Sequence, residues 1–355
     1  MEKRRRNRAR AWTERDIRIL EDLHKSRVLT KGQIRERYFG GREGYCTWRM
    51  HVMKKEGMVS SKVTWSEEKG RVEAHYRIGE RGIRLLVERG KVSETEAEEV
   101  RARDLEPTIK QREYLLDVNE LRYRCGVSVE AFLNSREVKR KYQLNRGNLV
   151  AGAFMVEGRG DYGIYLLNGG VWESTVKRVI EEIRGFHWVA GYLVYCKDER
   201  ARWLFEGIAN DKGLSTGGRP VHVLLYEERG IWITKEFILG KTEERILEWL
   251  RPYGAAGVIP ESRYGFRYGM KGADGRDYYV IEMLTGDWAG LYRVLRNYEG
   301  KTRDGRALPA LLFCWQEDEG IIRRRVEGVS WVEVVPVARP TQPFPASNES
   351  EFISR

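Results

Sequence analysis

Three carboxylates in the last third of the chain have the types and spacing that a metal-dependent nuclease needs. Asp274, Asp277 and Glu282 follow one another closely, and such clusters bind Mg²⁺ through oxygen and neutralise the charge that develops at phosphorus. A restriction-endonuclease-like strand also carries an acid, one residue and a lysine, whereas Met283 and Leu284 follow Glu282. A Mg²⁺-dependent nuclease with these three ligands therefore stays an alternative, beside turn aspartates and a strand-end glutamate.

Other motifs for catalysis or cofactor binding are incomplete. The segment Gly158–Gly163 matches GxGxxG, but a strand rather than a helix is expected after it, and Gly240-Lys241-Thr242 lacks the first glycine of a P-loop. The five histidines form neither an HxH pair nor an HExxH motif, and no GxSxG is present. The sequence therefore predicts no cofactor, no resident metal and no catalytic residue.

The positive charge of the chain is confined to its first quarter. Residues 1–95 hold 25 Lys and Arg against 14 Asp and Glu, and the remainder holds 39 of each, so the first quarter carries the whole net charge of +11. A polyanion is the expected partner of such a segment, and nucleic acid is the commonest one. A solubilising basic tail is the alternative.

The same quarter predicts three helices and a β-hairpin. Thr13 and Thr30 are in position to cap the first two helices, and Gly40-Gly41 ends the second. A third helix is expected from Gly44 to Glu56, with Tyr45, Trp48 and Val52 on its apolar face. The strands Met58–Trp65 and Val72–Ile78 and a helix Glu80–Arg89 complete the predicted pattern.

This order of elements is that of a winged helix-turn-helix, in which the third helix enters the major groove and the hairpin follows the backbone. Arg49 is expected to bond a guanine edge, and the lysines to hold phosphates. An amphipathic helix facing solvent and a protein-interaction winged helix are the alternatives. The predicted DNA-binding residues are Arg4, Arg5, Arg6, Arg42, Thr47, Arg49, His51, Lys54, Lys55, Lys69 and Arg71.

Beyond the first quarter, strand-like and helical runs alternate, which indicates α/β layers. Two stretches repeat a β-α-β-α-β order: Gly163–Leu167 resembles Tyr279–Met283, and Gly191–Cys196 resembles Ala310–Cys314. The predicted fold class is α+β, with a winged helix followed by two related α/β units. The predicted domains are a basic tail (1–11), the winged helix (12–95), a linker (96–113), two α/β units (114–240 and 241–338) and a flexible tail (339–355).

The chain resembles the replication-relaxation family of mobile genetic elements over residues 12–240. The resemblance lies in the segment Thr13–Glu21, in Leu29-Thr30, and in Asp117-Val118-Asn119-Glu120-Leu121, which is similar to a mid-chain helix of that family. It implies a winged helix joined to a restriction-endonuclease-like α/β domain, in a protein linked to plasmid replication and DNA relaxation. Where that family has a Pro-Asp pair and a strand acid, this chain has Val150–Phe154 and Tyr165-Leu166-Leu167, so a degenerate cleavage site is expected.

These observations predict a sequence-specific protein that binds double-stranded DNA of a plasmid or other mobile element. It would act in replication initiation or its control without catalysis of its own, with a second copy of itself or replication proteins as further partners. A plain transcription repressor is an alternative that differs only in its DNA target. The four cysteines have no CxxC spacing and no apolar run is long enough to span a membrane, which predicts a cytoplasmic protein.

Overall fold

The computed structural model describes residues 12–66, 71–99, 101, 105–187, 189–214, 216–259, 264–301 and 305–339. They divide into two compact units. The first unit holds the described residues up to Arg146 together with Ala151–Met155, and the second holds Gly147–Val150 and the described residues from Val156 onward. The predicted α+β class is confirmed by the helices and sheets of the chain. Among the described residues, no helix has the length and apolar character needed to cross a membrane.

The first unit begins with an N-terminal module of three helices followed by a β-hairpin and a fourth helix. The elements are α1 (Glu14–Ser26), β1 (Leu29–Thr30), α2 (Lys31–Phe39), α3 (Glu43–Lys55), β2 (Val59–Ser66), β3 (Arg71–Ile78) and α4 (Glu80–Glu88). The three strands form one antiparallel sheet in the order β1-β3-β2.

The first two helices begin at the threonines that the sequence predicts. Thr13 accepts a hydrogen bond from the backbone N–H of Asp16, and the Asp16 carboxylate accepts one from the Thr13 N–H at 2.7 Å. Thr30 and Gln33 form the same reciprocal cap on α2. Gly40 ends α2 with φ of 53°, in the left-handed region where glycine carries no steric penalty.

Helix α3 faces the core with a different side from the one that the sequence predicted. Cys46, Met50 and Met53 are fully buried, whereas Tyr45 is 44% and Trp48 is 46% exposed. The buried residues follow the spacing i, i+4, i+7, which forms one stripe on a helix. The predicted apolar face was therefore wrong for Tyr45 and Trp48 and right only for Val52, which is buried.

The remaining elements of the first unit are α5 (Glu94–Glu99), α6 (Ile109–Arg124), β4 (Phe132–Asn134), α7 (Ser135–Lys141) and most of β5 (Gly152–Val156), which pairs antiparallel with β4. Helix α6 docks on α1. The Asn119 amide donates to the carbonyl oxygens of Ser26 (3.2 Å) and Val28 (2.7 Å). The Arg122 guanidinium donates to the Asp22 carboxylate at 2.5 Å, and both residues are fully buried.

The second unit contains two sets of three parallel strands. Each set has the order strand, helix, strand, helix, strand, which is the order that the sequence indicated. Within each set the three strands are neighbours in chain order. The first set consists of β6 (Gly160–Leu167), α8 (Glu173–Gly185), β7 (Gly191–Cys196), α9 (Glu199–Lys212) and β8 (Val221–Leu225). A duplication stays a prediction.

The second set follows a helical connection and two further strands. Strand β10 (Tyr268–Gly272) pairs antiparallel with the first strand of this set, and β9 (Gly254–Val258) pairs antiparallel with β10. The connection holds α10 (Glu228–Ile233), a π-helical stretch (Thr234–Leu239), α11 (Thr242–Leu250), a 3₁₀ turn (Arg251–Tyr253), β9 (Gly254–Val258) and β10 (Tyr268–Gly272). The second set is β11 (Asp277–Glu282), α12 (Trp288–Asn297), β12 (Ala310–Trp315), a 3₁₀ turn (Gln316–Asp318), α13 (Glu319–Arg325) and β13 (Val332–Val337).

The two sets are joined where the turn before α12 meets strand β8. The Asp287 carboxylate accepts from the backbone N–H of Val221 at 2.9 Å, and the carbonyl of Gly286 accepts from the N–H of Val223 at 3.0 Å. A Cβ at Gly286 would lie 2.9 Å from the Val223 carbonyl oxygen, and its φ is 68°. The close approach of the two segments therefore requires glycine at this position.

Candidate nucleic-acid interface

The outward face of α3 consists of Thr47, Trp48, His51, Lys54 and Lys55, all of them exposed. Their spacing of three and four residues places them on one side of the helix, opposite the buried sulfur-containing side chains. No acidic residue occurs between Gly44 and Lys55. Arg42, also exposed, lies at the N-terminal end of the same helix. This face therefore presents positive charge and hydrogen-bonding groups to solvent.

The acidic residue at the start of α3 is already neutralised. Glu43 bonds Lys31, and its second oxygen accepts from Arg35 Nη1 at 2.8 Å. Hydrogen bonds from these two cations lower the pKa of Glu43 to about 2. The same contacts link α2 to the start of α3. The outward face therefore carries no unpaired negative charge from this glutamate.

An aromatic pair, Tyr45 and Trp48, projects from the first turns of α3. The two rings are stacked with centroids 5.7 Å apart and planes inclined by 21°. Arg15 of α1 supports them: its guanidinium lies 4.9 Å from the Tyr45 ring centroid and donates to the Tyr45 hydroxyl at 2.9 Å. This surface was not predicted from the sequence, because the two aromatic side chains were expected on the apolar face of the helix. The hydrophobic residues of α3 that are buried are Cys46, Met50, Val52 and Met53.

Arg49 lies on the inner side of α3 and is 5% exposed. Its guanidinium forms a two-pronged ion pair with Asp16, with Nε donating to Oδ1 at 2.7 Å, and it also lies over the Trp12 ring at 5.2 Å. Burial alone would raise the pKa of Asp16, but the hydrogen bonds from Arg49 and Thr13 outweigh it and the pKa is lowered. The guanidinium is therefore bonded within the protein, and we no longer expect Arg49 to read a base.

The predicted DNA-binding side chains of the hairpin, Lys69 and Arg71, lie outside the described part of the structure. Lys62 of β2 is exposed and pairs with Glu106 at 2.7 Å, as does Arg77 of β3. Arg71 begins β3, and its side chain is outside the described part of the structure. Lys69, at the predicted hairpin turn, and Arg4, Arg5 and Arg6, in the predicted tail, also lie outside the described residues.

The three carboxylates of the nuclease alternative do not converge. Asp274 accepts from the Tyr278 hydroxyl at 2.7 Å, and Asp277 pairs with Arg306 at 2.8 Å. Glu282 is at the other end of β11, about 16 Å along the strand at roughly 3.3 Å per residue. Among the described residues, no group of three or more His, Cys, Asp or Glu side chains is placed to hold a metal ion.

Glu282 is instead half-buried and bonds to the buried residue Thr285 in the turn before α12. Its carboxylate accepts hydrogen bonds from the Thr285 N–H at 3.2 Å and the Thr285 hydroxyl at 2.9 Å. Burial, followed by the nearby Asp287 carboxylate, raises the pKa of Glu282 to about 7. His222 of β8 is buried beside this turn, and its Nδ1 lies 3.0 Å from the Thr285 carbonyl oxygen. These contacts stabilise the junction between the two strand sets.

The comparisons with known proteins bear on the first unit. Residues 20–140 match the family model described as replication-relaxation. The searches of curated proteins and of solved structures gave no match. The matched region begins within α1, includes the whole of α3, and ends in α7 after the Asp117–Leu121 segment of α6. The resemblance predicted from the sequence is therefore borne out over residues 20–140, where the chain is similar to the replication-relaxation family.

Proposed function

We propose that the chain is a DNA-binding protein of a plasmid or other mobile element that acts in DNA replication or its control. In this proposal residues 12–95 form a winged helix-turn-helix, α3 enters the major groove, and the hairpin lies along the phosphate backbone. The observation that carries the proposal is the outward face of α3, which is exposed, basic and free of acidic residues while the opposite side of the helix fills the core. The family match supports a role in replication or relaxation.

The chemistry of that face suits duplex DNA. An α-helix fits the major groove, where base edges offer hydrogen-bond donors, acceptors and thymine methyl groups. Lys54 and Lys55, at the end of the helix, are suited to phosphates, since lysine acts as a mobile point charge. With Arg49 committed to Asp16, we assign the reading of base edges to Thr47 and His51, which lie one helical turn apart. Phosphate contacts would then set the register of the helix in the groove.

The second unit enters the proposal as the part that makes a dimer, recruits replication proteins or contacts more DNA. We propose no cleavage by the chain alone, because Asp277 and Glu282 occupy opposite ends of β11. A transcription repressor would use the same interface at another DNA target.

Selection of bound fragments from the DNA of the host element, followed by footprinting, tests the proposal. We expect enrichment of a discrete site, and loss of the footprint in Lys54→Ala/Lys55→Ala. The matched control is Arg84→Ala/Arg89→Ala, which removes the same charge from exposed positions at α4 and should leave the footprint intact. Binding without any preferred fragment, or equal loss in both variants, would contradict the proposed interface.

The nuclease alternative has a separate test. Supercoiled DNA that contains the selected site should remain intact when incubated with the protein and Mg²⁺ or Mn²⁺. Nicking that disappears in Asp277→Ala or Glu282→Ala would contradict the absence of catalysis and favour the nuclease.

A further inference from the structure

The aromatic pair, Tyr45 and Trp48, is exposed although the core beneath it is complete. Both rings leave nearly half of their surface to solvent, while Cys46, Met50 and Met53 on the other side of α3 are fully buried. Burying a large apolar side chain contributes about 1.5–3 kcal/mol, so two exposed rings side by side indicate a contact made with another molecule. The pair lies within the proposed DNA interface rather than apart from it.

The rings are held in place before any ligand arrives. Tyr45 is stacked on Trp48 and meets the buried Phe39 ring edge-on at 5.6 Å. Arg15 is placed over both Phe39 and Tyr45, at 4.6 and 4.9 Å from the ring centroids. A ligand that contacts the pair therefore has little side-chain freedom left to restrict, which favours binding.

The surroundings of the pair indicate what kind of ligand it takes. His51, Lys54 and Lys55 follow on the same face, and Arg42 precedes it. Aromatic rings interleaved with cations are the arrangement that binds single-stranded nucleic acid, in which bases stack on rings and phosphates lie along the positive charge. A protein partner of matching character would have to be acidic as well as apolar, whereas DNA offers both properties in every nucleotide.

A fully paired duplex presents only base edges in the major groove, so the faces of its bases are covered by their neighbours. We infer that the Tyr45–Trp48 pair stacks on unpaired bases, and that the preferred ligand of α3 is DNA with a locally melted segment. This inference rests on the proposed function, because the same helix face must first bind DNA. It assigns to the protein the recognition of opened DNA, such as that formed when a replication origin melts.

Three DNA probes of equal length and base composition test the inference: a full duplex, a duplex with a central unpaired bubble, and a single strand. Affinities are measured by fluorescence anisotropy on the full chain. We expect the wild type to prefer the bubble to the duplex. Trp48→Ala should lose about 5- to 150-fold on the bubble and the single strand, the range for one stacked base, and much less on the duplex. Trp48→Phe should keep most of the affinity.

Two controls separate this inference from the proposed function. Trp203→Ala removes a 56% exposed tryptophan from α9 of the second unit and should leave the preference for the bubble over the duplex unchanged, whereas Lys54→Ala/Lys55→Ala should weaken binding to all three probes. An equal loss on duplex and bubble in Trp48→Ala would overturn the inference and indicate contact with base edges. No loss in Trp48→Ala, with losses in the lysine variant, would overturn it while the DNA-binding function stands. A wild type that binds none of the probes would contradict both.

Discussion

Replacing Arg49 by alanine should unfold the first unit more easily rather than impair DNA recognition. The side chains of Arg49 and Asp16 are 6% and 0% exposed, so the substitution leaves a buried carboxylate without its cation. Removing one partner of a buried ion pair destabilises a protein by about 3–5 kcal/mol, or roughly 10–20 °C in melting temperature for a unit of this size. Retained hydrogen bonds from Thr13 to Asp16 place the expected loss at the lower end.

The assay combines thermal unfolding with DNA binding at a temperature where every variant is folded. Arg49→Ala and Arg49→Met should both melt at lower temperature, and Asp16→Asn/Arg49→Met should recover part of the loss because no charge is left buried. The wild type, Asp16→Asn, Arg49→Met and their combination form a double-mutant cycle, which measures the coupling between the two residues. Lys54→Ala is the matched control, and its melting temperature should stay within about 1 °C of the wild type because the side chain is exposed.

DNA affinity provides the refuting result. A residue that reads a base contributes about 1–3 kcal/mol at its cognate site, whereas folded Arg49→Ala should bind within about twofold of the wild type. If Arg49→Ala melted like the wild type and lost affinity only for the selected site, the ion pair with Asp16 would not be structural. Arg49 would then again be expected to read a base.

Four further outcomes are expected. A fragment that ends at residue 95 should melt at a lower temperature than one that ends at residue 146. The shorter fragment lacks Asn119 and Arg122, which bond to α1 and to the segment after it. Equal melting temperatures of the two fragments would contradict this role of α6. The pKa of Asp22 is lowered, because the cations Arg122 and Arg37 outweigh the effect of its burial. Its contribution to stability is therefore present above about pH 4 and should be lost as the pH falls further. In Asp22→Asn, the melting temperature should then depend less on pH in the acid range than it does in the wild type. The pKa of Glu282 is raised to about 7, so its contribution to stability is complete below about pH 4.5 and is lost as the pH rises to 7. Glu282→Gln should therefore melt at the same temperature as the wild type at pH 4, and at a higher temperature than the wild type at pH 8. A variant that is less stable than the wild type at both pH values would contradict this reasoning. Contact with about six phosphates should lower DNA affinity on the order of a thousandfold between 50 and 200 mM salt, and a flat salt dependence would contradict the electrostatic interface.

The helix starts and strand order could be predicted because their signals are local. Thr13 and Thr30 sit three residues before the side chains that complete their caps, and Gly40 marks the end of α2. The two β-α-β-α-β sets followed from the alternation of apolar and charged runs. In each case the element is determined by residues that are close together in the sequence, so its pattern can be recognised along the chain.

The orientation of α3 could not be predicted, because two stripes on that helix were apolar. Tyr45 and Trp48 are larger than Cys46, Met50 and Met53, and the larger residues were assigned to the core. The observed orientation also buries Arg49, whose charge is neutralised by Asp16, 33 residues earlier. That pairing cannot be inferred from the spacing within α3.

The role of α6 could not be predicted either, because it depends on an ion pair between residues that are far apart in sequence. Arg122 and Asp22 are 100 residues apart in sequence, and each resembles a solvent-facing residue of an amphipathic helix. The separation of the three carboxylates could not be predicted either, because residues that are close in sequence need not be close in space. Asp277 and Glu282 are the first and last residues of β11, and an extended strand separates its ends.

Site-directed photo-crosslinking tests most directly whether the outward face of α3 contacts DNA. A photo-reactive benzophenone amino acid would replace His51 of α3 or, as the control, Glu94 of α5, both of which are exposed. With the full chain bound to duplex DNA and binding followed by anisotropy, we expect crosslinks to bases from position 51 and none from position 94. Bound protein that forms no crosslink from position 51 would contradict the assignment of α3 as the helix that binds DNA.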